Sequence, residues 1–463
     1  MNKSLLLGLA FLSLRANAQT ALDIFITDQM ENKHIPGVSA VIIKDEKLAW
    51  VGNYGVANLS TGQPVDTNTI FMLASISKTI TATAIMQLYE DGYFELEDDI
   101  NLHLPFEIYH PSYPDSTITM LQLLTHSAAM RDNWDILDTV YVAGDSPLPL
   151  GDFMQGYFEV GGPYYYAEDN FYTYAPGADY NYCNEGIALL GYMVEVFTGQ
   201  PFNSYCNEHI FEPLCMTNTG WFLSELDTNL IAHPYDYISG SYYDYGLYGY
   251  PDYPDGQLRT TSLSLAKFLW MNMFDGNFNG VQILEPETIN LMRSSQIPFI
   301  DPTQGLVWYS YEDGGTWWGH SGGDSGVSTD MYFNDDTQTG IIVLANSDNS
   351  HIQIWNELID YAATLNTENS PSITCNIELP LNVAPSNQIN LTIFPNPASS
   401  YLYIETTENF DNYTIFSYDN KIQMSGNFNS QKLEIQNLST GLYYLMLHNN
   451  IGSEYVIRSF AKI

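Results

Sequence analysis

The sequence predicts an α/β (α+β) fold: an antiparallel sheet flanked by helices with an inserted helical subdomain, followed by a small all-β sandwich. Three observations predict it. Strand-forming runs stand at both ends of the first three-quarters of the chain and enclose a mainly helical, loop-rich middle. Helical patterns bracket those strands on the outside. Beyond the linker the text changes to short alternating strands separated by "PNPASS", "DNK", "LSTG" and "HNNIG".

The elements follow in order. "MNKSLLLGLAFLSLRANAQT" has Lys3, an apolar run from Leu5 to Leu14, and Ala16 and Ala18 spaced as a small-residue cleavage site, which reads as a signal peptide over 1–18. The run is too short for a resident membrane helix. "ALDIFITDQMENKHIPG" is apolar at helical spacing, and "VSAVIIKDEKLAWVGNYG" reads as a hairpin around a charged turn. Residues 76–91 form a helix apolar on most sides, hence buried, with Gly92 placed to stop it. Tyr-dense, helical and loop-rich text follows, until strands return with "LVWYSYEDGGTWWGHSGG" and "VSTDMYFNDDTQTGIIVLAN". The amphipathic "SHIQIWNELIDYAATL" closes the first domain, 19–367. Residues 368–390, polar and punctuated by proline, read as a linker, and 391–463 as the sandwich.

A formal charge of −40 repels phosphate backbones and anionic lipid, so nucleic acid is excluded as a partner. Four cysteines, at 183, 206, 215 and 375, lack metal-site spacing, and neither a metal nor a cofactor is expected. Cys206 and Cys215 are close enough in sequence to bridge; two buried free thiols are the alternative.

Three of nine lysines follow a serine by three places: Ser75 with Lys78, Ser264 with Lys267, and Ser459 with Lys462. Side chains three apart on a strand point to opposite faces, which removes Ser459. Ser264 and Lys267 lie in an amphipathic helix and read as a helix start and a solvated lysine. Ser75 stands at the N-terminus of the buried helix, where free N–H groups and the helix dipole favour negative charge. Lys78, one turn in, is expected to be desolvated and close to the positive dipole end, both of which disfavour its ammonium form. A neutral amine beside a hydroxyl can activate a serine nucleophile.

Tyrosine followed two places later by asparagine occurs four times, at Tyr182, Tyr205, Tyr332 and Tyr418. Tyr182 and Asn184 alone fall in a loop leading into a helix, 185–198, able to aim a phenol and an amide into a cleft. His320–Ser321–Gly322 is the single HSG, set among close-approach glycines that include Gly323.

The order SISK, YCN, HSG resembles the serine β-lactamase and penicillin-binding protein superfamily, in its class C, D,D-carboxypeptidase and related esterase branch. "GVANLSTGQPVDTNTIF", "ITMLQLLTHSAAM", "IFEPLCMTNTGW" and "GHSGGDSGVSTDMYFNDDTQTGIIVLAN" also look like family segments, across about residues 20–367. The chain departs from the pattern at Ala128 and Ala129, where relatives often carry Ser-Gly, and at Cys215, where they carry Gly. The resemblance implies Ser75 as nucleophile, Lys78 as proton acceptor or relay, and Tyr182 as the shuttle to the leaving group. It implies substrate contacts from Asn184, His320, Ser321 and Gly322, with an oxyanion hole from the backbone N–H groups of Ser75 and Gly323. His126, in "LLTHSAAM", reads as structural.

The tail, "LTIFPNPASSYLYIETT" through "LSTGLYYLML", resembles the sorting domain of type IX secretion cargo. That implies the secretion machinery as a partner and a destination outside the cell or on its surface. The function so implied is a secreted serine hydrolase acting through a Ser75 acyl-enzyme on ester or amide bonds, of the esterase or D-amino-acid peptidase type. A D,D-carboxypeptidase or β-lactamase is the alternative, and a catalytically silent penicillin-binding or surface-binding protein is the alternative of another class.

Overall fold

A computed structural model of the chain describes residues 21–377, 391–406, 410–417, 422–448 and 455–463. The expected signal peptide, residues 378–390 of the expected linker and Tyr418 lie outside the described residues. The chain divides into two compact units, Gln29–Glu378 and one that groups the chain up to Asp28 with Leu379–Ile463.

After a helix over 21–33 (α1), the first unit is built on a seven-stranded sheet. Its strands are β1 (Gly37–Lys44), β2 (Lys47–Asn58), β3 (Gln63–Pro64), β4 (Tyr309–Glu312), β5 (Thr316–Asp324), β6 (Val327–Asn334) and β7 (Thr339–Ala345). The spatial order is β4-β5-β6-β7-β1-β2-β3, antiparallel at every junction. Central β1 and β7 are buried almost end to end, which is why "GVSAVIIK" and "TGIIVLA" are continuous apolar runs rather than alternating ones. Helices α4 (Ser262–Met273) and α5 (Ile352–Thr364) pack on these two strands.

Between β3 and β4 lies the helical middle, where α2 (Ser77–Glu90) packs against α3 (Asn184–Thr198). Helix α2 buries four threonine and serine hydroxyls that a helix of this composition would otherwise strand in the core. Its backbone and a neighbouring loop absorb them: Thr79 Oγ1 donates to Ile76 O at 2.7 Å, Thr83 Oγ1 to Thr79 O at 2.9 Å, and Thr81 Oγ1 to Pro254 O at 2.6 Å. Gly92 closes the helix in the left-handed region, at φ +75°.

Cysteine pairing corrects the sequence expectation. Cys215 bonds to Cys375, 160 residues away, with Cα atoms 5.2 Å apart, while Cys206 and Cys183 are buried free thiols. Cys206 ends the short helix Phe202–Cys206 and is buried, whereas Cys215 stands in the left-handed region at φ +53°. The bridge also holds part of the expected linker on the first unit. Lys47 Nζ donates to Ser372 Oγ at 2.7 Å, Leu48 N to Pro371 O at 3.0 Å, and Ile373 is buried. Two of the three departures from the family pattern adopt the conformation that favours glycine: Cys215 and Ala129, the latter at φ +57°.

In the second unit, β8 (Leu391–Phe394), β9 (Tyr401–Thr406) and β12 (Lys432–Glu434) form one sheet. β11 (Ile422–Asn427), β10 (Asn412–Ser417), β13 (Gly441–His448) and β14 (Tyr455–Lys462) form the other, in that order. Alternate residues such as Leu402 and Ile404, and Leu445 and Leu447, meet in one apolar core. Ser459 lies on β14, as expected of a strand residue. Among the described residues, no helix is long and apolar enough to cross a membrane.

Candidate active site

Ser75 lies in a 3-10 turn, Ala74–Ile76, running directly into α2. The turn is fixed from three sides. Leu73 N donates to Leu258 O at 2.8 Å, Thr329 Oγ1 of β6 donates to Leu73 O at 2.7 Å, and Leu258 N donates to Ser77 Oγ at 3.1 Å. Ala74 is held at φ +48°, a conformation costing an alanine about 1–2 kcal/mol, and it is buried beside Met72, Tyr248, Tyr250 and Val327. The turn is therefore set by its surroundings rather than by local preference, and it presents Ser75 at the mouth of a cleft.

Lys78, wholly buried one turn on, places Nζ 3.0 Å from Ser75 Oγ and donates to Asp255 O at 2.6 Å. Burial alone depresses the amine, but the charges of Tyr182, Asp255 and Asp132 outweigh it and hold Lys78 above its ordinary value. This corrects the expectation that the ammonium form is disfavoured: the helix terminus is local in sequence, whereas Asp255 and Asp132 reach Lys78 from distant segments.

Tyr182 closes the pair from the other side, with Lys78 Nζ 5.1 Å from its ring centroid. Burial pushes its phenol up, and the charge of Lys78 with the nearness of Ser75 and Lys78 opposes this without reversing it. The loop carrying Tyr182 is pinned by Asp132, which accepts from Asn184 N at 2.8 Å, Glu185 N at 3.2 Å and Asn184 Nδ2 at 2.8 Å. Asp132 thus caps α3, supplying acceptors to its first N–H groups. His126 packs on Tyr182 with ring centroids 4.5 Å apart and accepts from Cys183 N at Nδ1, 3.2 Å. Burial keeps His126 neutral, well below its ordinary pKa, consistent with a supporting role.

The opposite wall is strand β5. Gly322 packs against the Ser75 turn so closely that an added Cβ would lie 2.3 Å from Leu73 O and 3.1 Å from Ser75 N. Gly323 meets nothing within 4 Å and opens onto the cleft. His320 is buried and, through that burial and the neighbouring charge of Lys78, falls to a pKa of about 3. The β5–β6 register sets Ser321 opposite Asp330, and Ser321 Oγ donates to Asp330 Oδ1 at 2.5 Å. His351 Nε2 meets the other carboxylate oxygen at 2.7 Å, and Tyr309 Oη donates to Ser321 Oγ at 3.1 Å.

A cavity of about 490 Å³ lies between the walls, lined by Ser75, Tyr180, Tyr182, Asp301, Thr303, Gln304, Tyr309, His320, Ser321, Gly322 and Gly323. The structure thus brings together the three motifs, with Lys78 beneath Ser75. Asn184 stands behind this lining, its amide turned to Asp132. Ser264 and Lys267 form no such pair. Ser264 Oγ donates to Thr217 O at 2.8 Å, and Lys267, expected to be solvated, is buried and donates to Cys215 O at 2.6 Å. Sequence reasoning missed Asp132, Asp255, Asp330, His351 and Tyr309. Only the alternation of β6, with Ser328, Asp330 and Tyr332 on one face, carried a signal. Among the described residues, no group of His, Cys, Asp or Glu could hold a metal ion.

The β-lactamase family model matches residues 22–363, and the model of the secretion system C-terminal sorting domain matches 392–458. A β-lactamase of Yersinia enterocolitica is 27% identical over 288 residues, 62% of this chain and 67% of that protein. Penicillin-binding protein 4 of Amycolatopsis lactamdurans is 26% identical over 315 residues, 63% of this chain and 76% of that protein. Protein flp of Staphylococcus aureus is 25% identical over 205 residues, and the chain spans 38% of its length. Among solved structures, a penicillin-binding protein from Bacillus halodurans superposes with a TM-score of 0.60 at 23% identity, covering 72% of this chain and 98% of that one. The D-amino acid amidase of Ochrobactrum anthropi SV3 gives 0.60 at 20%, covering 75% and 97%. Those two likenesses establish the fold. The chain belongs to the β-lactamase family of serine hydrolases and carries a C-terminal secretion sorting domain.

Proposed function

We propose that the chain is an exported hydrolase that forms an acyl-enzyme on Ser75 and cleaves ester or amide bonds of small molecules, as an esterase or D-amino-acid amidase or peptidase. The observation that carries this reading is the 3.0 Å approach of Lys78 Nζ to Ser75 Oγ beneath the phenol of Tyr182. Ser75 Oγ bonds to the acyl carbon while its proton passes to the Lys78–Tyr182 pair, which returns a proton to the leaving oxygen or nitrogen. Water then attacks the acyl carbon by the same route in reverse, regenerating Ser75. Backbone N–H groups of Ser75 and Gly323 are the proposed oxyanion donors.

Among the described residues, no arginine lines the cleft. Arg259 is spent on Gln257 O at 3.1 Å and on Tyr248 O at 2.5 Å, and Arg293 meets Asp335 at 3.4 Å. That favours the esterase or amidase reading over a carboxypeptidase, which needs an anchor for a terminal carboxylate. Intact-mass analysis after treatment with a fluorophosphonate tests the reading: one adduct, on Ser75, is expected, and an adduct elsewhere or none overturns it. Export predicts that protein recovered from the medium or cell surface lacks residues 1–18 and most of 391–463, which terminal sequencing checks.

A further inference from the structure

The two proposed oxyanion donors belong to different elements, the Ser75 turn and the end of β5, so the distance between them depends on what ties those elements together. An added Cβ at Gly323 meets nothing within 4 Å, so β5 is not packed at that point and takes its place from the residues on either side. Gly322 supplies one side, through its close approach to Leu73 O. The other side is Asp324 and Ser325, where β5 gives way to the turn into β6.

Two tyrosines reach both elements. Tyr248 and Tyr250 are buried and pack in one cluster with Ala74, the residue at positive φ that precedes Ser75. Their hydroxyls leave that cluster for the far side of Gly323: Tyr248 Oη donates to Ser325 O at 2.9 Å, and Tyr250 Oη to Asp324 Oδ2 at 3.3 Å. Asp324 Oδ1 accepts from Ser325 N at 2.7 Å, which closes the turn on its own carboxylate. Tyr141 braces the pair, its ring 4.7 Å from that of Tyr250 and its hydroxyl 3.4 Å from Asp324 Oδ1. The backbone of both tyrosines is pinned as well. Arg259 donates to Tyr248 O at 2.5 Å, and Tyr250 N donates to Gln257 Oε1 at 2.7 Å. Gly256 leaves room for Tyr250 Oη, where a Cβ would lie 2.5 Å away. Burial, with the charge of Asp324, holds both phenols well above their ordinary value, so both remain protonated donors through the neutral range.

The rings thus pack in the cluster that holds the residue before one donor, while the hydroxyls hold the residues after the other. An oxyanion hole works only if its N–H groups already stand where charge develops, and a misplacement of about 1 Å costs about 10²-fold. We infer that Tyr248 and Tyr250, with Asp324, are positioning residues that set the span between Ser75 N and Gly323 N. This rests on the reading above for the identity of the two donors.

The test uses the full chain as wild type, as the double variant Tyr248→Phe with Tyr250→Phe, which keeps both rings and removes both hydroxyls, and as Asp324→Asn and Asp324→Ala. p-Nitrophenyl butyrate and its thionobutyrate counterpart differ only in the atom that enters the oxyanion hole, and sulfur is the poorer acceptor. The double variant is expected to lose about tenfold or more in kcat/KM on the oxygen ester and less than about threefold on the thiono ester. Asp324→Asn, which keeps an acceptor for Tyr250, should stay within about threefold of wild type, whereas Asp324→Ala should follow the double variant. Equal losses on the two esters, or none, overturn the inference, because a fold merely loosened slows both alike. Hydrogen exchange on peptides covering 70–76 and 320–326 needs no turnover. Exchange faster by about tenfold or more in both peptides of the double variant supports the inference even where neither ester is cleaved, a result that sinks the hydrolase reading alone. Unchanged exchange overturns the inference whatever the kinetics.

Discussion

The two walls of the cleft are built by different means. The helix-side wall gets its chemistry from neighbours in sequence: Ser75 and Lys78 share a helical face because three residues make nearly one turn. The strand-side wall gets its chemistry from register, because Ser321 meets Asp330 only when β5 and β6 pair as they do, and His351 arrives from beyond β7. The first wall carries charge that sets reactivity. The second is neutral at His320 and holds its polar atoms in fixed donor and acceptor roles. On the proposed reading bond-making falls to the helix side and selection to the strand side, and substitutions can separate them.

The largest effect is expected at the helix side. Ser75→Ala should lower kcat by about 10⁴-fold or more and abolish covalent labelling, since removing a nucleophile forfeits the pathway. Ser264→Ala, at the same spacing from a lysine, should keep labelling and lose only a neutral hydrogen bond to Thr217 O, about 1 kcal/mol in a denaturant melt. Equal loss in the two variants would mean the helix-terminus argument is wrong. Next come Lys78→Ala and Tyr182→Phe, each expected to slow acylation by about 10²–10⁴-fold in stopped-flow labelling. A loss confined to one of them names that residue as the base.

The strand side is tested by two adjacent glycines. Gly322→Ala would drive a Cβ to 2.3 Å from Leu73 O and 2.4 Å from Thr329 Oγ1. Backbone must shift, at about 1–3 kcal/mol. Because Leu73 leads into the Ser75 turn and Thr329 Oγ1 holds Leu73 O, kcat/KM should fall by about 10²-fold as well. Gly323→Ala meets nothing within 4 Å, so its melting curve should stay within about 0.5 kcal/mol of the wild type. Equal destabilisation by the two would show that the close approach of strand and turn is not what Gly322 provides.

Legibility in the sequence followed the same division. The hairpin β1–β2, buried α2 with Gly92 behind it, α3 and the alternating tail were readable because each follows from a short-range period or a turn residue. The three motifs were readable by position on those elements. The spacing that failed was Cys206–Cys215, where nearness in sequence competed with a partner 160 residues off that no local pattern announces. The charge state of Lys78 failed for the same reason, since Asp132 and Asp255 reach it from loops 54 and 177 residues away in the chain. Ser321's donor role could not be read either, because a hydroxyl's direction depends on what faces it across a ladder.

The smallest effect distinguishes the walls by pH. Lys78 is held above its ordinary value, so the form of the Lys78–Tyr182 pair that can accept the Ser75 proton grows as pH rises toward that raised value. Two groups this close titrate as a unit, and the apparent pKa belongs to the pair. For a neutral ester, kcat/KM should climb about tenfold per pH unit through the neutral range into the alkaline. His320 contributes no step there, because its pKa has fallen to about 3 and it is neutral throughout. An ordinary histidine would add an inflection near pH 6.5. The measurement is a log kcat/KM profile from pH 5 to 10 in buffers of constant ionic strength, for wild type and His320→Gln. A single rising limb unchanged in position by the substitution is expected. A second inflection near neutrality that disappears in His320→Gln would place a titrating proton on the strand side, and the division between reacting and selecting walls would fail.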